Sequence, residues 1–322
     1  MALSTLSATS QGAGGKAPTA WDDTRKQGWP DEFKRVSIPS GADGALQPAY
    51  FLAAPEGAKN VPVLVSLHTW SAGYEQQDPL APLAKAAGWI YLRPHFRGRN
   101  NTPDACLSDK ALADIDDAIQ YAVSQPGADP SRLFVAGASG GGMATLGAYM
   151  RSLHAVRLFL AWVPISDLVA WHSESLARGN KRYAEEIIAC TSGGTELDVA
   201  EARRRSPLHM EGPVRPRSGI EIFAGIHDGH TGSVPVSQSL RFFNRLAGQY
   251  GHPEQRVGEE EIARLLARDA RADPALGRVG NRAVLFRRAV PGVTVTIFEG
   301  GHEMVVDACF RRMQEAAARE EK

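Results

Sequence analysis

One pentapeptide constrains this chain more than any other feature. Gly137-Ala138-Ser139-Gly140-Gly141 follows an apolar run at 132–136 (RLFVA) and opens a small-residue stretch at 140–151 with helical character. A strand that turns at once into a helix makes a sharp corner, and the residue at the corner is pushed into a strained conformation. Small flanking residues keep the two chain segments from colliding there. A serine so placed is presented as a nucleophile. The competing readings are a glycine-rich turn with an incidental serine, or a phosphate loop, but no Gly-Lys-Ser/Thr follows and GASGGG does not match G-x-G-x-x-G.

A serine hydroxyl of ordinary acidity needs a base to take its proton and a third group to hold that base in the right tautomer. Two later strand-like runs end in suitable residues. The run at 219–224 leads into Gly225-Ile226-His227-Asp228-Gly229, and the run at 293–298 leads into Glu299-Gly300-Gly301-His302. Asp228 and His302 are the expected acid and base, in the chain order Ser, Asp, His. Of the nine histidines, His154, His209 and His252 lie in polar helical or inserted stretches and read as surface residues. His227 and His230 flank Asp228, but no further ligand stands at a usable spacing, so no metal site is expected. Donors for an oxyanion should come from the backbone N–H of Gly140, at a helix N-terminus, and from the loop 68–73, with Trp70 preferred over Thr69.

The rest of the pattern supplies a frame for that corner. Residues 33–38 and 46–53 read as a hairpin; 62–67 (PVLVSL) and 89–94 read as buried strands around a helix whose apolar positions are Leu80, Leu83, Ala84 and Ala87. Ser108 is a suitable N-cap for a helix with Leu112, Ile115, Ile119 and Ala122 on one face. Strands at 132–136, 156–162, 219–224 and 293–298 alternate with helices at 140–151, 234–246 and from about 304. The expectation is an α/β fold with a mostly parallel central sheet, helices on both faces and an inserted cap-like segment. Residues 1–20 read as a flexible tail and 21–322 as one domain, with excursions at about 164–213 and 253–291.

Composition narrows the classes further. The 322 residues carry 36 Lys+Arg against 36 Asp+Glu, which gives no basic footprint for nucleic acid or an anionic membrane. Cys106, Cys190 and Cys309 are too few and scattered for a disulfide framework and read as buried small residues. The N-terminus lacks a basic start with an apolar run, and no stretch of about 18 apolar residues occurs. A cytoplasmic location is expected, without nucleic-acid or membrane partners; the oligomeric state stays open.

These motifs resemble the prolyl-oligopeptidase type of α/β-hydrolase (peptidase S9), especially propeller-free members such as acetylxylan esterases and other carboxylesterases. The matching residues are His68-Thr69-Trp70, Phe96-Arg97-Gly98-Arg99, Asp114-Ile115-Asp116-Asp117-Ala118, Asp129-Pro130-Ser131-Arg132, the pentapeptide around Ser139, Asp228 with Val234-Pro235, and His302. The resemblance implies an α/β-hydrolase fold and a cofactor-free serine hydrolase using Ser139, Asp228 and His302. The sequence departs from the pattern at His-Thr-Trp, where many peptidases have His-Gly-Gly, and in the length of 253–291. With strands, helices and two excursions accounting for nearly all residues, no propeller is expected ahead of the catalytic segment.

Around the nucleophile, Trp70, Tyr74, Phe96, Trp162 and Trp171 could form an aromatic wall, with His95, Arg97 and Arg99 binding polar or acidic groups. The competing reading makes Phe96 and Trp162 core residues and the arginines ties for the oxyanion loop. An aromatic wall with cations suits a sugar or uronate ester, and also an aryl ester or a peptide; the leading expectation is a carboxylesterase acting on a small-molecule or oligosaccharide ester such as acylated or esterified carbohydrate. The alternatives are a serine exopeptidase acting on short peptides and an inactive binding protein of the same fold.

Overall fold

The computed structural model describes residues 28–213, 216 and 218–319. The tail expected over residues 1–20 lies outside them. Strands β1 (Lys34–Pro39) and β2 (Leu46–Leu52) form the antiparallel hairpin, closed by Ser40 N–H to Ala45 O at 2.9 Å. Then β3 (Val61–Leu67), α1 (Leu80–Ala86), β4 (Ile90–Pro94), α2 (Asp109–Val123), β5 (Ala128–Ala138), α3 (Gly140–Arg151) and β6 (Leu158–Trp162) alternate. Helices α4 (Leu168–Ala177), α5 (Lys181–Thr191) and α6 (Val199–Arg204) make up the first excursion. They are followed by β7 (Gly219–Gly225), α7 (Val236–Gln249), α8 (Glu259–Leu266), β8 (Arg278–Val279), β9 (Arg282–Val290), β10 (Val293–Phe298) and α9 (Val306–Ala317).

Among the described residues the strands form one sheet in the order β1-β2-β4-β3-β5-β6-β7-β10-β9-β8. The contiguous block from β4 to β10 is parallel, and antiparallel pairs flank it on both sides. Alternation along the strands splits the interior in two. Val63, Val65, Leu133 and Val135 pack with α2, α3 and α7, while Leu64, Phe134, Leu160 and Phe298 pack with α1 and α9. This explains the unbroken apolar reading of the central strands, since both faces are covered. At the start of α2, Ser108 Oγ accepts the Ala111 N–H at 3.1 Å, the cap expected from sequence.

Two expectations need correction. Part of the second excursion belongs to the sheet: β9 is a nine-residue strand antiparallel to β10. Its buried Val284, Phe286 and Val290 are interrupted by Arg287 and Arg288, and a strand near the sheet edge with that pattern reads as a polar segment. Second, Cys106 and Cys190 are joined in a disulfide across 84 residues, tying α5 to the loop before α2. Cys309 remains free and buried. Such a bond is more at home in an oxidising compartment than in the cytoplasm that the sequence reading expects. No helix among the described residues is long and apolar enough to cross a membrane.

Candidate active site

Ser139 stands at the C-terminal end of β5 with φ +57° and ψ −119°, a conformation that side-chain-bearing residues rarely adopt. Hydrogen bonds lock the corner: Ser139 N–H donates to Trp162 O at 2.9 Å, and Ser139 O accepts from Met143 N–H at 2.9 Å. The motif's outer glycines follow from the same corner, because a β-carbon on Gly137 would collide with the backbone of Gly141.

Asp228 follows β7 and His302 follows β10, the adjacent parallel strand, so both lie at the same sheet edge as Ser139. The His302 Nδ1–H donates to Asp228 Oδ2 at 2.6 Å. Asp228 is fully buried, and its other oxygen, Oδ1, accepts the N–H groups of Gly229 at 2.9 Å and Val234 at 3.0 Å. These bonds fix the orientation of the carboxylate. With Nδ1 engaged, Nε2 faces the other way and lies 3.4 Å from Ser233 Oγ. The two flanking histidines turn elsewhere: His227 Nε2 pairs with Glu299 at 2.5 Å, and His230 Nε2 donates to Leu266 O at 2.8 Å. No cluster of three or more metal-ligating side chains occurs among the described residues.

The loop after β3 is held by a buried polar network. Asp78 accepts from Tyr91 Oη at 2.6 Å and from Arg93 Nη1 at 3.1 Å, and Arg93 Nη2 donates to Gln76 Oε1 at 2.7 Å. Gln76 Oε1 in turn takes the N–H of Thr69 at 3.0 Å. That removes Thr69 as an oxyanion donor. The Trp70 N–H makes no hydrogen bond to a described residue, and Trp70 N lies so close to Gly140 that a β-carbon there would strike it. Trp70 is tethered at both ends: its carbonyl accepts from Asn100 N–H at 3.0 Å, and its Nε1–H donates to Glu186 on α5 at 2.7 Å. Asn100, Gln76, Arg93 and Glu186 carry no motif. They become visible only once the chain is folded.

The other expected substrate contacts are redistributed. Arg97 is consumed by Asp114 (Nε to Oδ2, 2.6 Å), by Asp43 (2.8 and 2.9 Å) and by Ser40 Oγ at 2.9 Å. The Arg97 hydrogen bonds hold the Asp43 carboxyl well below the usual carboxylate range. Tyr74 is buried, stacked on Tyr50 and edge-on to His95. Trp70 and Trp171 bury their rings against each other edge to face at 4.8 Å, and Trp171 Nε1–H donates to Ser233 O at 2.8 Å. Instead of forming an open wall, they bridge the oxyanion loop to the loop facing His302. Phe96 stacks on His68 and Trp162 on Phe223, both in the interior. His95 and Arg99 line a cleft of about 520 Å³ with Ser71–Gly73, and the buried His95 Nδ1 lacks a partner among the described residues.

The model of the prolyl oligopeptidase family matches residues 78–261, more than half of the chain. The chain belongs to the prolyl oligopeptidase family. Its α/β-hydrolase fold is the one shared by peptidases of this S9 family. No curated protein matches it. Among solved structures, an acylaminoacyl peptidase in complex with Z-Gly-Gly-Phe-chloromethyl ketone is similar over 91% of this chain and 43% of its own, with TM-score 0.60 and 16% identity. Prolyl oligopeptidase B from Galerina marginata matches over 91% of this chain and 38% of its own (TM-score 0.58, 17% identity). A Mycobacterium tuberculosis puromycin-hydrolyzing peptidase matches over 74% and 38% (TM-score 0.52, 21% identity). The chain spans less than half the length of each of these family neighbours, and the likeness is one of fold.

Proposed function

We propose that this chain is a serine peptidase acting on short peptides or aminoacyl amides, with Ser139 as nucleophile, His302 as general base and Asp228 as its orienting acid. The observation that carries the reading is the 2.6 Å bond from His302 Nδ1 to the buried Asp228 carboxylate, which leaves Nε2 as the proton acceptor. His302 would take the proton from Ser139 Oγ as that oxygen attacks the carbonyl carbon. The developing oxyanion would accept the N–H groups of Gly140 and Trp70. His302 would then protonate the leaving amine, and the acyl-enzyme would be hydrolysed by a water that His302 deprotonates.

The amide preference rests on family membership and on structural neighbours that are peptidases. Of the residues on which the carbohydrate-ester expectation drew, Trp70, Tyr74, Phe96, Arg97, Trp162 and Trp171 have side chains engaged within the protein, while His95 and Arg99 line the cleft. The test compares aminoacyl and N-acylaminoacyl p-nitroanilides with p-nitrophenyl acetate, each with Ser139→Ala as control. Release of p-nitroaniline, lost at least a thousandfold in Ser139→Ala, supports the peptidase reading. Inert amides beside rapid ester turnover would return the esterase reading. A folded protein that turns over neither, and whose Ser139 fails to react with a fluorophosphonate, would indicate an inactive binding protein.

A further inference from the structure

The cleft beside the oxyanion loop carries an unused recognition chemistry. Its wall begins at Ser71, the residue after Trp70, so the cleft adjoins the loop that carries the proposed oxyanion donor. Three arginines line it, and they are not equivalent. Arg97 is saturated by Asp43, Asp114 and Ser40. Arg99 and Arg182, with side chains 49% and 59% exposed, share the single carboxylate of Glu186 at 3.5 and 3.0 Å.

That carboxylate is already engaged, because Glu186 Oε2 accepts the Trp70 indole N–H at 2.7 Å. Each guanidinium has five N–H donors and here uses one, and the 3.5 Å contact of Arg99 is too long to be worth much. Around Glu186 two cations face one anion, and most of their N–H donors are free. On the same lining, His95 adds a buried Nδ1 without a partner; the glycine positions 73 and 98 are packed against its ring, and a β-carbon at either would press on it. Glu75, the cleft's own carboxylate, lies on the His95 side.

Building on the hydrolase reading above, we propose that Arg99 and Arg182 form a subsite for a carboxylate of the substrate, so that this enzyme selects acid-bearing acyl or peptidyl groups. A carboxylate there accepts N–H groups from both guanidiniums, and charge-assisted bonds of this kind supply a preference of about tenfold or more.

The test uses matched pairs that differ only in the charge. Mono-p-nitrophenyl glutarate against p-nitrophenyl valerate places the carboxylate on the acyl side. A tripeptide with a free C-terminal carboxylate against its C-terminal amide places it on the leaving side. The expected result is a kcat/KM at least tenfold higher for the acid member of one pair, falling as salt is raised. The Arg99→Gln/Arg182→Gln double variant should bring that ratio near one. Because the ratio compares two substrates on one protein, any disturbance passed through Glu186 to Trp70 cancels. Ratios near one for every pair the wild type turns over, or a preference that survives the double substitution, would overturn the subsite. Inert peptides with an acid preference on the esters would sink the peptidase reading and leave the subsite standing; cleaved peptides with no acid preference in either pair would do the reverse.

Discussion

The backbone nitrogen of Trp70 lies against Gly140 so closely that even a methyl group on Gly140 would run into it. Two N–H donors from loops 70 residues apart in sequence are thereby set side by side at the nucleophile's corner. The requirement for glycine at 140 thus concerns space more than backbone conformation.

Gly140→Ala should therefore push the Trp70 loop away and weaken the oxyanion site. Loss of one such donor costs about 10²–10³ in kcat. Steady-state kinetics should show that loss mainly in kcat, with KM within a few-fold; a variant with wild-type kcat would remove Trp70 from the proposed role.

Asp228→Asn changes one oxygen of a buried acceptor to an amide while keeping its size. The His302 ring would lose the partner that sets its tautomer, and kcat should fall by about 10⁴. Circular dichroism on the same sample checks that the fold is retained. Activity within tenfold of wild type would contradict the assigned pairing.

The Cys106–Cys190 bond closes a long loop and should stabilise the fold by about 2–4 kcal/mol. The Cys106→Ala/Cys190→Ala variant is expected to unfold at lower guanidinium concentration by that amount. Activity should fall as well, since Cys106 N–H donates to Asn100 Oδ1 at 2.9 Å and Asn100 holds the Trp70 carbonyl. An unchanged denaturation midpoint would mean that the bond contributes nothing.

His68 provides a pH signature. It is fully buried, stacked on Phe96, with Nε2 2.8 Å from His95 O and Nδ1 3.0 Å from Thr69 O. Burial outweighs these carbonyls and pulls its pKa down to about 3. An unfolded histidine titrates near 6.5, so the unfolded chain binds the extra proton between these values. Stability from this group is complete above about pH 6.5 and is lost as pH falls toward 3, by up to about 1.4 kcal/mol per pH unit. Chemical denaturation from pH 7 to 4 should show this slope, reduced in His68→Gln; equal slopes in the two proteins would contradict it.

Legibility in the sequence follows the range of the forces involved. The central strands, the cap at Ser108 and the glycine-flanked corner at Ser139 depend on neighbours a few residues away, and their patterns are readable one by one. Strand β9 escapes that reading because Arg287 and Arg288 interrupt its buried Val284, Phe286 and Val290 and break the apolar pattern. Tyr74 and Arg97 look like substrate contacts as long as their partners are unknown. In the fold, Asp43 and Asp114 compete for the same guanidinium that a substrate would need, and they are already in place.

The sequence by itself determined the alternation of strands and helices, the corner that presents Ser139, and the order in which Asp228 and His302 follow their strands. These are consequences of local periodicity and of the conformations that glycine permits. Only the tertiary structure decided that Thr69 spends its N–H on Gln76 while Trp70 keeps its own, that Cys106 and Cys190 meet, and that Arg99 and Arg182 share one carboxylate. Each of those outcomes is a competition among donors and acceptors far apart in the chain, and it is settled by which groups burial brings within 3 Å or so of one another.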